Sequence, residues 1–458
     1  MAMVHVKNVQ QLLSHGNANA RRAALQIIEA ALAKADPYRA TRAVVRLEGK
    51  RLSVADRRFD LNRNRRIFLL GAGKATFPIA KALEDILGNR IHGGIIACKY
   101  GQKGNLSRTD LYLAGHPIPD EVGFEASQKA LALAASTQSG DIVFACVTGG
   151  SSALLPYPVA GISLEDKKAV TRLLLTCGAN IVEINAVRKH ISQIKGGRLA
   201  KAIHPKAQLI NLTVSDVIGD PLDYITDPTV PDTSTFEDAR ATLTKYNLWQ
   251  KVPASVRRFL RHADPDQETP KGKDLPRSRR QDIVIVKGEA ACEGAAEKAR
   301  ALGFNTMILS TMLEGESKEL GRAFAAICGE IKRYGRPLAM PCVLIGGGET
   351  TVKIEGDAGK GGPNQEFAAS AALGIETMAN VVIVGLDSDG TDGPTDLAGA
   401  MVDGRSAPRA RKLGIDLSAS LKRHDVSPAL EKIGDAIKTG ATGTNVNDLK
   451  FILAAAHT

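Results

Sequence analysis

The sequence predicts an α/β protein with a doubly wound, Rossmann-like parallel sheet in its N-terminal part and a second α/β unit in its C-terminal part. Three observations predict this class. Short apolar runs alternate with segments of helical periodicity along most of the chain. The 458 residues suffice for two or three domains, each with its own core. The chain also contains 44 glycines and only 4% aromatic residues, which suits many tight turns between strands and helices.

The alternation is clear in the N-terminal half. Residues 66–70 form a short continuous apolar run that ends at a glycine-rich turn, as expected for a buried parallel strand. Apolar positions at helical spacing predict helices in 8–35 and 74–87. Further runs predict strands at 94–97, 142–147 and 209–214, and the segments between them predict helices at 123–136 and 163–178.

Residues 255–282 interrupt this pattern. They contain three prolines and eight Lys or Arg residues, with almost nothing apolar after Leu260. Such a composition predicts a solvated connection. Strand-like runs then resume at 283–286, 305–309, 342–345 and 381–385. We therefore predict an N-terminal domain at 8–254, a linker or solvated loop at 255–282, and a C-terminal domain at 283–458.

Charge and cysteine usage narrow the class of protein. The formal net charge is +11, which attracts nucleic acids or anionic metabolites. Because Trp249 is the single tryptophan and no basic stretch is interleaved with aromatic residues, a stacking nucleic-acid binder is disfavoured. The six cysteines have no C-x-x-C spacing, which predicts buried free thiols in a reducing compartment. We find no signal peptide and no membrane span, so we expect a cytoplasmic location.

The turn at 71–74 reads Gly-Ala-Gly-Lys and joins a predicted strand to a predicted helix. Backbone N–H groups at such a junction suit an anion, and Lys74 adds a charge suited to phosphate. The turn is not a P-loop, because Ala75 stands where Ser or Thr is required. It is not a complete dinucleotide fingerprint either, because Thr76 replaces the third glycine. A tight turn with an exposed lysine explains the same residues equally well.

Three more polar segments follow predicted strands or helices in the N-terminal half. Residues 148–152 read Thr-Gly-Gly-Ser-Ser after the strand at 142–147, where parallel sheets bind ligands, although an ordinary turn with a helix cap would look similar. Residues 188–198 contain five basic groups that could clamp an anion or face solvent. Asp216 and Asp220 then follow the strand at 209–214, and loop carboxylates of this kind suit Mg²⁺ or Asx turns.

The C-terminal half adds a further set of polar, glycine-rich loops. Most follow a predicted strand, so together they predict a large polar cleft for a phosphate chain and a small anion. The loops span residues 346–350, 359–366, 387–393 and 442–448.

The sequence resembles the class II glycerate kinases, also called the MOFRL family, in the motifs of these loops and in their order. The resemblance extends from about residue 10 to residue 455. The resemblance is carried by eight motifs: GAGKA at 71–75, AGHPIPDE at 114–121, TGGSSALLP at 148–156, NAVRKHISQIKGGRLA at 185–200, SDVIGD at 215–220, GGGETTV at 346–352, GLDSDGTDGPTDLAGA at 385–400 and TGTNVNDL at 442–449.

The resemblance implies Mg²⁺-dependent phosphorylation of D-glycerate by ATP, giving 2-phosphoglycerate. It also implies a doubly wound N-terminal domain, a smaller C-terminal α/β domain and an active site in the cleft between them. In the family the lysine of the GAGKA-like turn is an active-site residue, which carries over to Lys74. Members often have Arg in a GGRNQE segment, whereas this chain has Pro363 there, so any role of that Arg is absent or filled by another basic residue.

On this basis we assign candidate site residues. Lys74 and the turn before it would act on the transferring phosphoryl group, and Arg188 and Lys195 would bind the glycerate carboxylate. The full set comprises catalytic Lys74, Asp216 and Arg188; substrate-binding Ser151, Ser152, Lys195 and Asn185; nucleotide- or phosphate-binding Gly71, Gly73, Gly149, Gly150, Gly347, Glu349, Asn364, Gln365 and Asn445; and metal-binding Asp220, Asp389 and Asp392.

Other functions remain open at this point. An NAD(P)-dependent hydroxypyruvate reductase would use a similar small acid, but the turn at 71–74 lacks the third glycine, and no ribose-binding acid follows the next strand. A kinase for a related four-carbon sugar acid and a non-catalytic sugar-phosphate-binding regulator are further alternatives. The expected partners are D-glycerate and ATP, without nucleic acid or membrane, and a homodimer is one option for the assembly.

Overall fold

The computed structural model describes residues 5–61, 65–217, 219, 221–225 and 227–456. Contacts divide these residues into two compact units. The N-terminal unit contains the described parts of 37–215 and 219–285, and the C-terminal unit contains the described parts of 1–36, 216–218 and 286–458.

The helices of the described residues are α1 (Val9–Leu13), α2 (Ala18–Lys34), α3 (Pro37–Val44), α4 (Thr76–Leu87), α5 (Glu121–Ala135), α6 (Ser151–Leu154), α7 (Leu164–Thr176), α8 (Ile181–His190), α9 (Arg198–Ala202), α10 (Leu222–Ile225), α11 (Phe236–Lys245), α12 (Ala254–Arg261), α13 (Ala290–Ala301), α14 (Ser317–Tyr334), α15 (Pro363–Gly374), α16 (Ser406–Lys412), α17 (Leu417–Lys422) and α18 (Ser427–Lys432). Short 3₁₀ turns lie at Gly88–Arg90, Asp227–Thr229, Pro265–Gln267 and Arg277–Arg279.

The strands are β1 (Val45–Glu48), β2 (Arg51–Val54), β3 (Arg57–Asp60), β4 (Ile67–Ala72), β5 (Ile91–Lys99), β6 (Asp110–Ala114), β7 (Ile142–Val147), β8 (Gln208–Val214), β9 (Arg280–Val286), β10 (Asn305–Leu313), β11 (Cys342–Gly348), β12 (Val381–Asp387), β13 (Gly399–Asp403), β14 (Ala436–Ile437) and β15 (Asp448–Ala454). Strands β1–β3 form a small antiparallel sheet.

The N-terminal unit is built on a six-stranded sheet with the order β6-β5-β4-β7-β8-β9. The pairs β5–β6, β4–β5, β4–β7 and β7–β8 are parallel. The chain enters at β4, proceeds to one side through β5 and β6, and returns to the other side with β7 and β8, so the predicted doubly wound topology is confirmed. Every residue of β4 and β7 is buried, which is why these strands appear as continuous apolar runs in the sequence.

Helices cover this sheet and form a second apolar core beside it. Helix α5 packs against β5 and β6, and its Ala126 and Ala130 belong to the same buried cluster as Leu70 and Val143 of the sheet. Helices α7, α8, α11 and α12 enclose a separate cluster of buried aliphatic residues. The basic side chains described below lie on this helical layer and on the loops beside it.

Residues 255–282 are not the solvated connection that their composition predicts. Helix α12 buries Val256 and Leu260 in the core of the helical layer, and Leu275 is 2% exposed in the cluster beneath the sheet. Glu268 accepts a hydrogen bond from the N–H group of Phe236 at the start of α11. The prediction was wrong because a few well-placed apolar and hydrogen-bonding side chains suffice to pack a segment whose other residues are charged.

The C-terminal unit contains a mixed sheet with the order β10-β11-β15-β12-β13-β14. Only β10 and β11 pair in parallel; β15 is antiparallel to both β11 and β12 and lies between them. Helices α14 and α15 pack together in its main apolar cluster. The predicted strands at 305–309, 342–345 and 381–385 are confirmed as β10, β11 and β12.

Helix α2 belongs to the C-terminal unit, although it lies within the domain that we predict at 8–254. It packs against α13, and its fully buried Arg21 binds two carboxylates of the same unit. The Nε atom lies 2.6 Å from Asp403 and a terminal nitrogen lies 2.7 Å from Asp435. A buried guanidinium requires such partners, so these ion pairs fix the position of the helix.

The six cysteines are free thiols, and all except the half-buried Cys177 are buried, as predicted. Burial raises the pKa of Cys98 to about 12, so this thiol stays protonated and inert at neutral pH. Within the described part of the chain, no helix is both long and apolar enough to cross a membrane.

Candidate active site

Strand β4 continues into α4 through the turn that contains Gly71, Gly73 and Lys74. A Cβ atom on Gly71 would lie 2.3 Å from the backbone oxygen of Cys146, and one on Gly73 would lie 2.0 Å from Oγ1 of Thr148. Gly73 also has a φ of +146°, which side-chain-bearing residues rarely adopt. Both glycines are therefore required by the close approach of β7, whether or not they contact a ligand.

The backbone of this turn does not offer the outward N–H groups that the sequence predicts. Three consecutive N–H groups donate to neighbouring strand ends: Gly73 to Ala97 O at 3.2 Å, Lys74 to Gly149 O at 2.9 Å and Ala75 to Thr148 Oγ1 at 3.2 Å. The expectation was wrong for these groups, because adjacent parallel strands end at the same level and supply acceptors. The side chain of Lys74 remains as the element of this turn that can act on an anion.

The loop after β7 lies beside that lysine. Gly150 has a φ of +91°, and a Cβ atom placed on it would lie 3.4 Å from Cγ of Lys74 and 3.1 Å from Nε2 of His116. Gly149 and Gly150 are partly exposed, and their N–H groups form no hydrogen bond with any residue that the structure describes. The side chains of Lys74 and His116 thus lie close to Gly150 in the loop that carries these two amides. His116 lies within the AGHPIPDE motif but is not among the predicted site residues.

Ser152 and Lys195, both predicted to bind substrate, contact each other. The Lys195 side chain is 2% exposed, and its Nζ atom lies 2.5 Å from Oγ of Ser152 and 2.5 Å from Oδ2 of Asp227. Ser151 precedes Ser152 at the start of α6 and is buried. The loop after β7 therefore connects the Lys74 turn with a buried ammonium group.

Two further basic side chains, on α7 and α8, act electrostatically with Lys195. Lys167 is 3% exposed, and its Nζ atom has no hydrogen-bond partner among the described residues. The Nε atom of Arg188 is also buried without such a partner. We call Lys167, Arg188, Lys195 and Asp227 the basic pocket. It holds three basic side chains against one carboxylate, whose Oδ1 atom likewise lacks a partner in the described structure.

The electrostatics of the basic pocket reflect this imbalance. Burial lowers the pKa of Lys167 well below its usual range, and the charges of Lys195 and Arg188 lower it further against the opposing effect of Asp227. Burial also lowers the pKa of Lys195 and of Arg188, again opposed by Asp227. Uncompensated buried cations are costly, so the pocket is suited to an anion.

The other basic residues of 188–198 have structural partners. Lys189 lies 2.5 Å from Asp223 and 3.1 Å from Asp232, and Nε2 of His190 donates to Glu268 at 2.7 Å. Of the five basic groups that the sequence brings together, only Arg188 and Lys195 belong to the pocket. Asn185 is buried on α8 one turn before Arg188, on the same side of the helix.

Several predicted residues lie in the C-terminal unit. Asn445 donates through Nδ2 to Oδ2 of Asp216 at 2.7 Å, which brings together two predicted residues that are 229 positions apart in the sequence. Asp220, predicted as a metal ligand, lies outside the described residues.

Asp392, predicted as a metal ligand, instead caps the N-terminus of α15 with its carboxylate. Its two carboxylate oxygens accept hydrogen bonds from the backbone N–H groups of Asn364 and Gln365 at 2.9 Å each, and also from both amide side chains. Burial raises the pKa of Asp392 to about 6, and the nearby Asp448 adds to this effect. Asn364 also donates to Asp448, whose other oxygen lies 2.5 Å from Nζ of the buried Lys450. These contacts give Asp392, Asn364 and Gln365 a structural role.

The remaining predicted residues are placed as follows. Gly347 lies within β11, where a Cβ atom would be 2.6 Å from Sγ of Cys292, so packing accounts for this glycine. Glu349 is exposed just after β11. Asp389 accepts hydrogen bonds from the N–H and hydroxyl groups of Thr391. Across the described ranges, no group of three or more His, Cys, Asp or Glu residues is arranged to hold a metal ion.

Comparison with known proteins shows which family this chain resembles. Residues 23–261 match a domain of unknown function, DUF4147, and residues 342–448 match the MOFRL family. The glycerate 2-kinase of Pyrococcus horikoshii is 44% identical over 94% of this chain and 96% of its own. The crystal structure of glycerate kinase from Thermotoga maritima superposes with a TM-score of 0.80, at 39% identity, over 95% of this chain and 99% of its own.

One relative has a different name. An Agrobacterium vitis protein, 37% identical over 96% of both chains, is provisionally named a hydroxypyruvate reductase. The two family models, the extent of the identity and the structural similarity agree with the order of motifs that we read from the sequence. The chain belongs to the class II glycerate kinase family, with a DUF4147 domain followed by a MOFRL domain.

Proposed function

We propose that this protein transfers the terminal phosphoryl group of ATP to the 2-hydroxyl group of D-glycerate, giving 2-phosphoglycerate. The basic pocket is the observation that carries the proposal, because two buried lysines and the buried Nε atom of Arg188 share one carboxylate, Asp227, and this excess of basic groups favours an anionic ligand such as glycerate. The relative named glycerate 2-kinase, 44% identical over nearly the whole chain, supports this choice of substrate and reaction.

In this proposal the glycerate carboxylate enters the basic pocket. An ammonium group has three donors, and Lys195 uses two of them on Ser152 and Asp227, so one remains for substrate. The guanidinium of Arg188 presents a planar fork that matches a carboxylate. Holding the carboxylate at a fixed place positions the adjacent 2-hydroxyl group, and such positioning is a large part of catalysis of phosphoryl transfer.

Lys74 would stabilise the phosphoryl group as it is transferred. Its side chain lies beside Gly150 and His116, and the two N–H groups of Gly149 and Gly150 offer donors for phosphate oxygens. Charge on the transferring group is spread over its oxygens, so an ammonium and fixed amide dipoles lower the barrier without forming a covalent intermediate. Lys74 is therefore our candidate catalytic residue.

ATP and Mg²⁺ complete the proposed reaction. Mg²⁺ generally takes only one or two protein carboxylates and completes its shell with water and nucleotide phosphates. Asp216 and Asp389 are the described candidates for such a ligand. Asp392 is less suited, because its carboxylate oxygens already accept hydrogen bonds from the N-terminus of α15. When bound, the ion would neutralise phosphate charge. Gly347, Glu349, Asn364, Gln365 and Asn445 remain predicted nucleotide-binding residues.

The second candidate function is reduction of hydroxypyruvate, which the name of the Agrobacterium vitis relative favours. A dinucleotide would need backbone amides at the first strand-to-helix turn, and in this chain the N–H groups of Gly73, Lys74 and Ala75 are already bonded. The kinase is thus the better supported function.

One experiment separates these functions. Purified protein is incubated with D-glycerate, ATP and MgCl₂ and followed for ADP, in parallel with hydroxypyruvate and NADH followed for loss of NADH. We expect ADP formation that stops with EDTA and no oxidation of NADH. L-glycerate and D-erythronate test the choice of acid, and a ¹³C NMR spectrum of the product identifies the phosphorylated hydroxyl. Oxidation of NADH without ADP formation would reverse the assignment.

A further inference from the structure

Lys167 is a buried lysine that neither the fold nor the predicted site explains. It lies on the second turn of α7, where the buried Val170 and Leu174 follow it on the core-facing side of the helix. Its Nζ atom is inaccessible and has no hydrogen-bond partner among the residues described. An apolar side chain would satisfy the packing of α7 at no electrostatic cost, so a lysine here points to a partner other than the protein.

The charges that act on Lys167 come from three other segments. They are Arg188 on α8, Lys195 on the loop before α9, and Asp227 on a 3₁₀ turn. Lys195 already pairs with Asp227 at 2.5 Å, so this carboxylate is shared by three basic groups. Lys195 also contacts Ser152, which follows the carboxyl end of β7, where parallel sheets bind ligands.

We propose that Lys167 is a third ligand of the substrate carboxylate, which it holds together with Arg188 and Lys195. This inference rests on the proposed function and adds a residue to its binding site. With all three basic groups protonated, Asp227 leaves two positive charges unpaired; a bound carboxylate reduces this excess to one, and its two oxygens can accept from several donors at once.

The same geometry couples binding to protonation. In the empty pocket, burial and the two neighbouring cations favour the neutral amine of Lys167, with only Asp227 opposing. A bound carboxylate favours the ammonium form. Binding of the carboxylate therefore raises the pKa of Lys167, so glycerate binding and protonation of this amine favour each other, and affinity for glycerate falls as the pH rises.

The test compares Lys167→Met with Lys168→Met. Methionine keeps an unbranched chain of similar length but removes the charge. Lys168 is the adjacent residue on α7, and its ammonium forms a surface pair with Glu165 at 2.7 Å, so its replacement controls for loss of a lysine from this helix. We expect Lys167→Met to raise the KM for glycerate about tenfold or more and to leave the KM for ATP within about twofold, because a charged hydrogen bond to one substrate is lost. We expect Lys168→Met to leave both values unchanged.

Two binding measurements accompany the kinetics. Without ligand, Lys167→Met should unfold at the same temperature as the wild type or higher, since a buried unpaired amine is removed. With glycerate, its thermal stabilisation should be smaller than that of the wild type. Calorimetry of glycerate binding to the wild-type protein, in two buffers of different ionisation enthalpy, should show proton uptake that Lys167→Met lacks.

The outcomes are distinct. An unchanged KM for glycerate in a folded Lys167→Met variant would overturn the inference. So would equal rises in KM for both substrates, or binding of glycerate to the wild type without proton uptake. If wild-type protein binds glycerate with proton uptake but forms no ADP, the proposed reaction fails while the role of Lys167 stands.

Discussion

Glu268 offers a direct test of how residues 255–282 are held. Its Oε2 atom accepts from the N–H group of Phe236 at 3.0 Å, and its Oε1 atom accepts from His190 Nε2 and from the N–H group of Thr269 at 2.7 Å each. It therefore joins this segment to α8 and to the start of α11. We consider the substitution Glu268→Gln, which keeps the shape of the side chain but removes its charge and one acceptor oxygen.

The magnitude follows from the pKa of Glu268. Hydrogen bonds from two backbone N–H groups and from His190 lower it from 4.5 to about 2, although partial burial opposes this shift. A shift of that size corresponds to at most about 3 kcal/mol of stability at neutral pH. Because the carboxylate is partly exposed, solvent screening reduces this value, and we expect a loss of about 1–2 kcal/mol.

The dependence on pH has a definite sign. A carboxyl group whose pKa is lower in the folded state stabilises the fold above its unfolded pKa of 4.5, and this contribution is lost as the pH falls towards 2. The difference in unfolding free energy between wild type and Glu268→Gln should therefore shrink as the pH falls below 4.5.

Urea titration followed by tryptophan fluorescence measures this difference. Trp249 is the single tryptophan and donates to Thr244 Oγ1 at 2.9 Å in the helical layer, so it reports on the unit that contains Glu268. Glu237→Gln is the matched control, because that side chain is 78% exposed at the start of the neighbouring α11, and it should change stability by less than about 0.5 kcal/mol. A Glu268→Gln variant as stable as this control, or a difference that grows in acid, would refute the reasoning.

The remaining predictions concern the site and its support. Lys74→Ala should fold normally and lower kcat about 100-fold or more, a loss of ~3 kcal/mol in transition-state stabilisation; near-normal turnover would make the turn purely structural. Gly73→Ala should strongly destabilise the protein in thermal unfolding, because the new Cβ would lie 2.0 Å from Thr148 Oγ1, whereas Gly93→Ala, which has open space around it, should have little effect. Burial raises the pKa of Asp392 to about 6, so its contribution to stability is lost as the pH rises through that value. The non-ionising Asp392→Asn should therefore show a smaller fall in unfolding free energy between pH 5 and pH 8 than the wild type, and an equal fall would contradict this role.

The sequence predicts well those features that depend on neighbouring residues. Strand β7 is buried along its whole length and therefore appears as a continuous apolar run, so its position and its parallel environment could be predicted. Gly71 and Gly73 were predicted to bind a phosphate, which stays a prediction; what the structure shows is that the close approach of β7 requires glycine at both positions. The pairing of Ser152 with Lys195 was consistent with the assignment of both residues to one substrate site.

Features that depend on long-range contacts could not be predicted in this way. Strand β15 comes last in the chain but lies in the middle of its sheet, between β11 and β12. Helix α2 packs in the C-terminal unit because Arg21 pairs with Asp403, which is 382 residues later. Nothing in the local pattern around either segment indicates those partners.

The sequence by itself thus determined the fold class, the glycine-rich turns at strand ends and the family, because each of these depends on local periodicity or on the order of short motifs. Only the tertiary structure decided which charged residues act together. It assigned Lys189 and Asp392 to internal partners, packed Leu275 of the expected linker into a core, and added Lys167 to the basic pocket. The physical reason is that the state of an ionisable side chain depends on its burial and on charges a few ångströms away, and chain folding brings those charges from distant parts of the sequence.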